Sequence, residues 1–350
     1  MKKIISILLF CFCLNSCFRN EPAPISFNKI FEEISSDASN KNKPFCVVLT
    51  DSMQTSSKNY IKSLNEEYNY LRSKAIYNIV DINCEENNWY LKWLCPAFLP
   101  LTCVFSNEAK LIDIIPGATR ETFLYSKEAI HNAVSTDFHW PNKFKNNKKV
   151  VIPFLNDVLE VKKYLDQGMY VPSKFYQMSD SLNYPYSLYL KLVGELMEND
   201  SISAKATAKS LLEFETPSAL EVYKDEFITA KKVLNPKFDI NAEPNIRVDT
   251  TVIFLNGCII NEKVPIDIAI YNDGENPLKI SKIYLSCSCL EHVDSDKEII
   301  IFAKKSHVAK FYFTPEEDGE IVRDIYITSN AINIPILHIH ILAKTININN

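Results

Sequence analysis

Residues 244–346 alternate apolar and polar side chains so regularly that a pair of packed sheets is the natural way to bury them. Short alternating runs stand at Thr251–Leu255, Val264–Tyr271, Leu278–Leu285, Ile299–Phe302, His307–Phe313, Ile321–Ile327 and Ile334–Ala343. Successive side chains on a strand point to opposite faces, so each run predicts a strand with one buried and one solvated face. Asn272-Asp273-Gly274 and Glu317-Asp318-Gly319 supply turn residues between runs. Strands of this length cannot cover their own apolar faces, and two sheets stacked face to face are expected.

Several fragments of this segment go further. Phe254-Leu255-Asn256-Gly257, Ile270-Tyr271-Asn272-Asp273-Gly274, Pro277-Leu278-Lys279-Ile280, Ser286-Cys287-Ser288-Cys289-Leu290 and Thr328-Ser329-Asn330 together resemble a bacterial Ig-like family of unknown function. That family is related to β-sandwich modules of cilia and centrosome proteins, and its hallmark is a Ser-Cys-Gly-Cys-Thr run. Ser288 and Leu290 depart from the hallmark, so nothing tied to that motif is carried over. The resemblance implies an Ig-like β-sandwich attached to other envelope modules, and it implies no reaction. Cys287 and Cys289 stand two apart and, on a strand, share a face; His338 and His340 repeat the spacing. Four such ligands on neighbouring strands would make a tetrahedral site for a soft metal such as copper(I). The plainer reading packs one cysteine inside, or leaves both half-buried, and sets the histidines opposite Leu337, Ile339 and Ile341. No metal is assigned on these residues.

The region 27–140 carries a different pattern. Pro44–Thr50 is a short apolar strand, helical spacing runs from Ser57 to Lys74 through Tyr60, Leu64, Tyr68 and Leu71, and Ala75–Ile82 is a second strand. A helix over Asn87–Leu94 leads into a strand at Leu99–Phe105, a polar turn at Ser106–Lys110, a strand at Leu111–Ile115, and a helix from Arg120 to Val134. The order is α/β. With Val80-Asp81-Ile82-Asn83 ending the second strand, Leu99-Pro100-Leu101-Thr102 entering the third, and Pro116-Gly117-Ala118 after the fourth, the segment resembles the thioredoxin fold.

That resemblance implies a cis proline at Pro100 beside an active pair placed between the first strand and the following helix. There the chain reads Asp51-Ser52-Met53-Gln54-Thr55-Ser56-Ser57-Lys58, with Gln54 and Ser57 where a Cys-x-x-Cys pair would stand. Disulfide exchange needs a thiolate to attack and a second sulfur to resolve, so Gln54, Thr55, Ser56 and Ser57 form a degenerate site. Ser56 or Ser57 is expected as the helix N-cap, and no histidine precedes His131 and His139 to activate a serine. Cys84 and Cys95 remain as a structural disulfide, two independent thiols, or a redox site of unusual spacing. Cys46 and Cys103 lie in apolar runs and read as small hydrophobes.

At the start of the chain, Lys2 and Lys3 precede an apolar run from Ile4 to Leu14, and Leu14-Asn15-Ser16-Cys17 resembles a lipobox. Residues 1–17 thus predict a lipoprotein signal with lipidation at Cys17, followed by a linker over 18–26. The run is too short to span a bilayer, which needs roughly 20 apolar residues. Lipid on Cys17 would tether a chain that otherwise projects into water.

Composition excludes other classes. A net charge of -5 and the shortness of the basic run Lys143–Lys149 argue against nucleic acid, and that run is expected to be a solvated linker within 141–153. Six glycines in 350 residues disfavour phosphate-binding and dinucleotide loops. Residues 154–236 read as helical, with a stripe through Phe154, Val158, Val161, Tyr164 and Leu165 and further helices at Leu188–Met197, Ala204–Phe214 and Ala219–Leu234. Asp200-Ser201 and Thr216-Pro217 read as helix starts. Tyr170, Phe175, Tyr176, Tyr184, Tyr186 and Tyr189 pack between helices or form a peptide- or glycan-binding surface.

Together these features predict a multidomain α/β plus β chain: a thioredoxin-like domain over 27–140, a helical segment over 154–236 and an Ig-like β-sandwich over 244–346. The expected role is non-catalytic binding or assembly by a protein lipid-anchored in the envelope of a Bacteroidetes-like bacterium, on the inner or outer membrane. Its expected partners are the membrane and other envelope proteins, with no cofactor and no assignable small ligand. The alternatives are a thiol-disulfide oxidoreductase or isomerase using Cys84 or Cys95, and a metal-binding envelope protein.

Overall fold

Both faces of one central strand are covered, and that strand organises the first half of the molecule. The computed structural model describes residues 22–144, 146–172, 184–293 and 298–346. It divides between Leu182 and Asn183 into two units. In the first, β1 (Ser26–Phe27), β2 (Phe45–Thr50), β3 (Ile76–Asp81), β4 (Leu101–Phe105) and β5 (Leu111–Pro116) form a sheet of order β1-β3-β2-β4-β5. β3 runs parallel to β1 and β2, while β4 is antiparallel to β2 and β5. Every residue of β2 is buried, which is why Phe45–Thr50 reads as a continuous apolar run rather than an alternating one.

Helices α1 (Phe31–Lys41), α2 (Thr55–Glu66), α3 (Leu71–Lys74), α4 (Asn88–Leu94) and α5 (Arg120–Asn132) accompany the sheet. Cys46, Val48, Tyr77, Val104 and Ile115 meet Tyr60, Leu64 and Phe123 in one core. Phe31 and Trp89 build a separate aromatic cluster with Phe45 and Phe105, whose rings stack at 4.7 Å. The helix expected over Ser57–Lys74 is two pieces, because the chain turns at 67–70 before α3. α1 has no counterpart in the sequence reading. It buries only Phe31, Ile34 and Ala38 from a serine-rich stretch, too sparse a stripe to stand out.

The basic run is not a linker throughout. Lys148 opens α6 (Lys148–Asp166), capped by Asn147, whose side chain accepts from Lys149 N at 2.8 Å. Its ammonium lies 2.6 Å from Asp113 Oδ1, with the carboxylate fully buried. Pro153 forgoes one helical hydrogen bond within α6, offset by burial of Val151, Ile152 and Leu155. α6 packs on the first sheet: Trp93 donates to Leu155 O at 3.0 Å, and Asn156 bonds the backbone of Leu111 in both directions. The predicted helical segment is therefore not one body. Its first helix belongs to the α/β unit.

The second unit begins with α7 (Pro185–Met197), α8 (Ser201–Leu212) and α9 (Pro217–Leu234). Asp200 caps α8 and Thr216 caps α9, with Pro217 at the first helical position. Among the described residues nine strands follow: β6 (Ile246–Val248), β7 (Val252–Ile259), β8 (Val264–Asn272), β9 (Leu278–Leu285), β10 (Leu290–His292), β11 (Ile299–Ile301), β12 (Ser306–Phe313), β13 (Glu320–Ser329) and β14 (Ile336–Ile346). They form sheets of order β10-β12-β8-β6 and β11-β9-β13-β14-β7 around one core. Ile268, Ile270, Phe311 and Phe313 of the first sheet meet Ile325, Ile327, Ile339 and Ile341 of the second. This is an Ig-like type of β-sandwich, antiparallel except where β14 runs parallel to β7. β6 and β10, three residues each, carry too few alternations to be read from sequence.

Turn chemistry fixes one end of the sandwich. Asn272 is fully buried, donates to Asn276 O and Ile301 O, and accepts from Gly274 N and Asn245 N. A Cβ on Gly274 would stand 2.1 Å from Glu243 O, so only glycine fits the approach of these two segments.

Candidate functional site

In the α/β unit, the sequence-predicted residues gather where β2 gives way to α2. Asp51 closes the turn: its carboxylate accepts from Met53 N at 2.9 Å, Gln54 Nε2 at 3.0 Å and Asn83 Nδ2 at 3.0 Å. Asn83 also donates to Asp81 at 3.0 Å, which ties the ends of β2 and β3 together. Burial pushes the Asp81 carboxyl up, but donors from Ser52 and Asn83 outweigh it and hold the group below its ordinary value.

Neither expected serine is the N-cap. Gln54 occupies that position without a side-chain cap bond, and Thr55 begins the helix. Ser57 is buried and its Oγ accepts from Asp51 N at 3.0 Å, while Ser56 Oγ donates to Leu99 O at 3.3 Å. The Leu99–Pro100 peptide is cis, and Pro100 O accepts from Gly117 N at 2.8 Å. The structure thus brings Gln54, Ser56, Ser57 and Pro100 into one corner, with hydroxyls tying its loops together. Met53 and Phe98 stand on those two loops with 82% and 61% of their surface exposed.

Of the alternatives for Cys84 and Cys95, the structure shows two half-buried thiols that are not joined in a disulfide. Cys84 Sγ accepts from Asn28 Nδ2 at 3.6 Å, and Cys95 sits at the C-terminus of α4 with φ 45°. Cys46 and Cys103 are buried as small hydrophobes. Burial pushes the Cys46 thiol up to about 12 and raises Cys103 as well, which keeps both protonated and unreactive near neutral pH.

The aromatic surface dissolves into separate environments. Tyr184 and Tyr186 are buried, Tyr186 stacks on Tyr189 at 6.5 Å, and Tyr170 is exposed in the other unit. Phe175 and Tyr176 lie outside the described residues, as do the signal region and Cys17.

In the sandwich, Cys287 and Cys289 are joined to each other in a disulfide within the bend after β9. They are not on a strand, and oxidised sulfur supplies no thiolate, so the four-ligand set with His338 and His340 is corrected. The histidines do lie opposite Leu337, Ile339 and Ile341, and they converge on a residue the sequence reading missed. Asp324 Oδ1 is 2.8 Å from His338 Nε2 and 2.9 Å from His340 Nδ1. Asp324 is the direct register partner of His340 on β14. Its outward position follows from the alternation of β13, but the pairing that sets it beside the histidines is non-local and leaves no mark in a single sequence.

Backbone and ring contacts hold this cluster. Asp324 N donates to Ser286 Oγ at 2.8 Å and Ser286 N donates to Asp324 O at 3.0 Å. Tyr326 stacks on His338 with centroids 4.3 Å apart and planes 15° from parallel. Ser286 and Tyr326 also line a cavity of about 660 Å³, with Tyr284, Leu285 and Ile336 on the same sheet and Pro217 at the start of α9.

Residues 246–341 match a family described as "Protein of unknown function (DUF1573)", which places the match on β6 through most of β14. No curated protein matches the sequence. Among solved structures, a protein of unknown function from Porphyromonas gingivalis W83 is similar at 19% identity and a TM-score of 0.27, over 31% of this chain. The chain spans 50% of that protein's length. The ASH / PapD-like domain 7 of human CEP192 is similar at 10% identity and a TM-score of 0.24, over 32% of this chain and 90% of that one. SSP-19, an MSP-domain protein like family member from Caenorhabditis elegans, is similar at 10% identity and a TM-score of 0.22, over 28% and 97%.

Proposed function

We propose that the chain is a lipid-anchored cell-envelope protein with a non-catalytic binding or assembly role. In this reading a redox-inactive thioredoxin-like unit and an Ig-like sandwich serve as interaction modules. The order of strands and helices from β2 to α5 supports the thioredoxin likeness. The observation that carries the role is the corner at Gln54, Ser56, Ser57 and Pro100. Its side chains close loops instead of presenting sulfur, while Met53 and Phe98 offer apolar surface on those same loops. Isolated exposed apolar residues are ordinary; two on loops joined by a hydrogen bond suit a partner's apolar anchor. The sandwich adds sheet edges at β6, β7, β10 and β11, where an extended peptide would find backbone donors and acceptors.

The test is direct. The purified full chain is expected to leave the rate of insulin reduction by dithiothreitol unchanged; acceleration that survives removal of contaminants overturns the reading. Crosslinking in intact cells is expected to capture a stable envelope partner, and the double variant M53S/F98S to lose it while unfolding at the same denaturant concentration. Capture dominated by mixed disulfides through Cys84 or Cys95 would instead favour an oxidoreductase.

A further inference from the structure

We infer that Asp324, His338 and His340 form a binding site for a divalent transition-metal ion, with zinc as the fitting case. The three donor atoms lie within 4.8 Å of one another, on the outward face of two adjacent strands. Two imidazoles aim ring nitrogens at a single carboxylate oxygen from 2.8 and 2.9 Å. A zinc ion with bonds of about 2.0–2.2 Å keeps its tetrahedral ligands roughly 3.3 Å apart, so the carboxylate has to retreat by a few tenths of an ångström and the two ring nitrogens have to settle at the same spacing.

The donor set selects the ion. Two imidazoles and one carboxylate suit zinc and its first-row neighbours, whereas calcium and magnesium take oxygen ligands. Copper(I) finds no thiolate here, because Cys287 and Cys289 are spent on their disulfide. On binding, the metal takes the lone pairs of His338 Nε2 and His340 Nδ1. Metal-bound rings carry their hydrogen on the other nitrogen, Nδ1 of His338 and Nε2 of His340.

Support around the ligands is already in place. Ser286 clamps the backbone of Asp324 through two hydrogen bonds, Tyr326 fixes the plane of His338, and His340 N donates to Thr251 O at 2.8 Å. Such outer contacts hold donor atoms in position before the ion arrives. The side chains of Asp324, His338 and His340 are 27%, 35% and 44% exposed, which admits an ion and leaves a fourth coordination position to water.

Zinc alone, titrated calorimetrically into the purified full chain, is expected to bind one ion at this site. The double variant H338A/H340A and the single variant D324N are expected to weaken it by about tenfold or more. H307A, on β12 of the opposite sheet, is the control and is expected to bind as the wild type does. Spectra of the wild-type chain labelled with 15N in histidine give a reading independent of any variant, since zinc is expected to shift the His338 and His340 resonances. No saturable uptake, uptake that the double variant retains in full, or zinc that leaves both resonances unmoved overturns the site.

Discussion

Lys148 carries a charge into the interior of the α/β unit because Asp113 meets it there. The carboxylate also accepts from Ile114 N, Thr136 N, Thr136 Oγ1 and Ser135 Oγ, so it is fully surrounded by donors. Removing the ammonium leaves a buried carboxylate with only neutral partners. Lys148→Met is expected to lower stability by about 3–5 kcal/mol in chemical denaturation. Lys149, whose side chain is exposed at 74%, is expected to change stability by less than about 0.5 kcal/mol when replaced by alanine. Glu195 on α7 is a buried acid of another kind. Oε1 accepts from Thr207 at 3.1 Å, Oε2 has no partner among the described residues, and burial raises its pKa above the ordinary 4.5. A raised carboxyl stabilises the fold below 4.5 and loses that contribution as pH climbs through the folded value. The stability of Glu195→Gln relative to wild type is therefore expected to rise as pH climbs above the ordinary 4.5, and an unchanged difference would contradict the burial effect.

Elements show where local chemistry outweighs pattern. Gly274→Ala is expected to lower the melting temperature of the sandwich unit measurably, since Glu243 O would sit 2.1 Å from the new methyl and the backbone must shift. The strands of the sandwich were legible where apolar and polar side chains alternate longest, along β8, β13 and β14, whereas β7 was read only as far as Leu255. β2 was legible for the opposite reason, its unbroken apolar run. α1 was not, because packing on Phe45 and Phe105 rather than a broad stripe holds it. α6 was misplaced at its start by Pro153 and by lysines that read as solvated until their tertiary partner is known. The candidate site in the α/β unit was readable from the turn before α2. Two of the three residues of the cluster in the sandwich were readable, since His338 and His340 announce a shared face while Asp324 joins them only through strand register.

For the whole molecule, compartment and redox state are the measurable quantities. With the protein folded, alkylation is expected to modify the half-buried Cys84 faster than Cys46, Cys103 and Cys258, which are buried; equally rapid modification of all four would contradict that pattern. Labelled palmitate is expected to enter the wild-type chain in growing cells and not the Cys17→Ser variant. Chain order has a consequence of its own. β14 lies inside its sheet, antiparallel to β13 on one side and parallel to β7 on the other, and it follows β6 to β13 in chain order. Until residues 336–346 have been synthesised, β7 lacks its neighbour and the sandwich lacks the strand that brings Leu337, Ile339, Ile341 and Ala343 to its interior. The sandwich therefore closes only once β14 has been translated, and a ribosome stalled before residue 336 would display it as an open sheet.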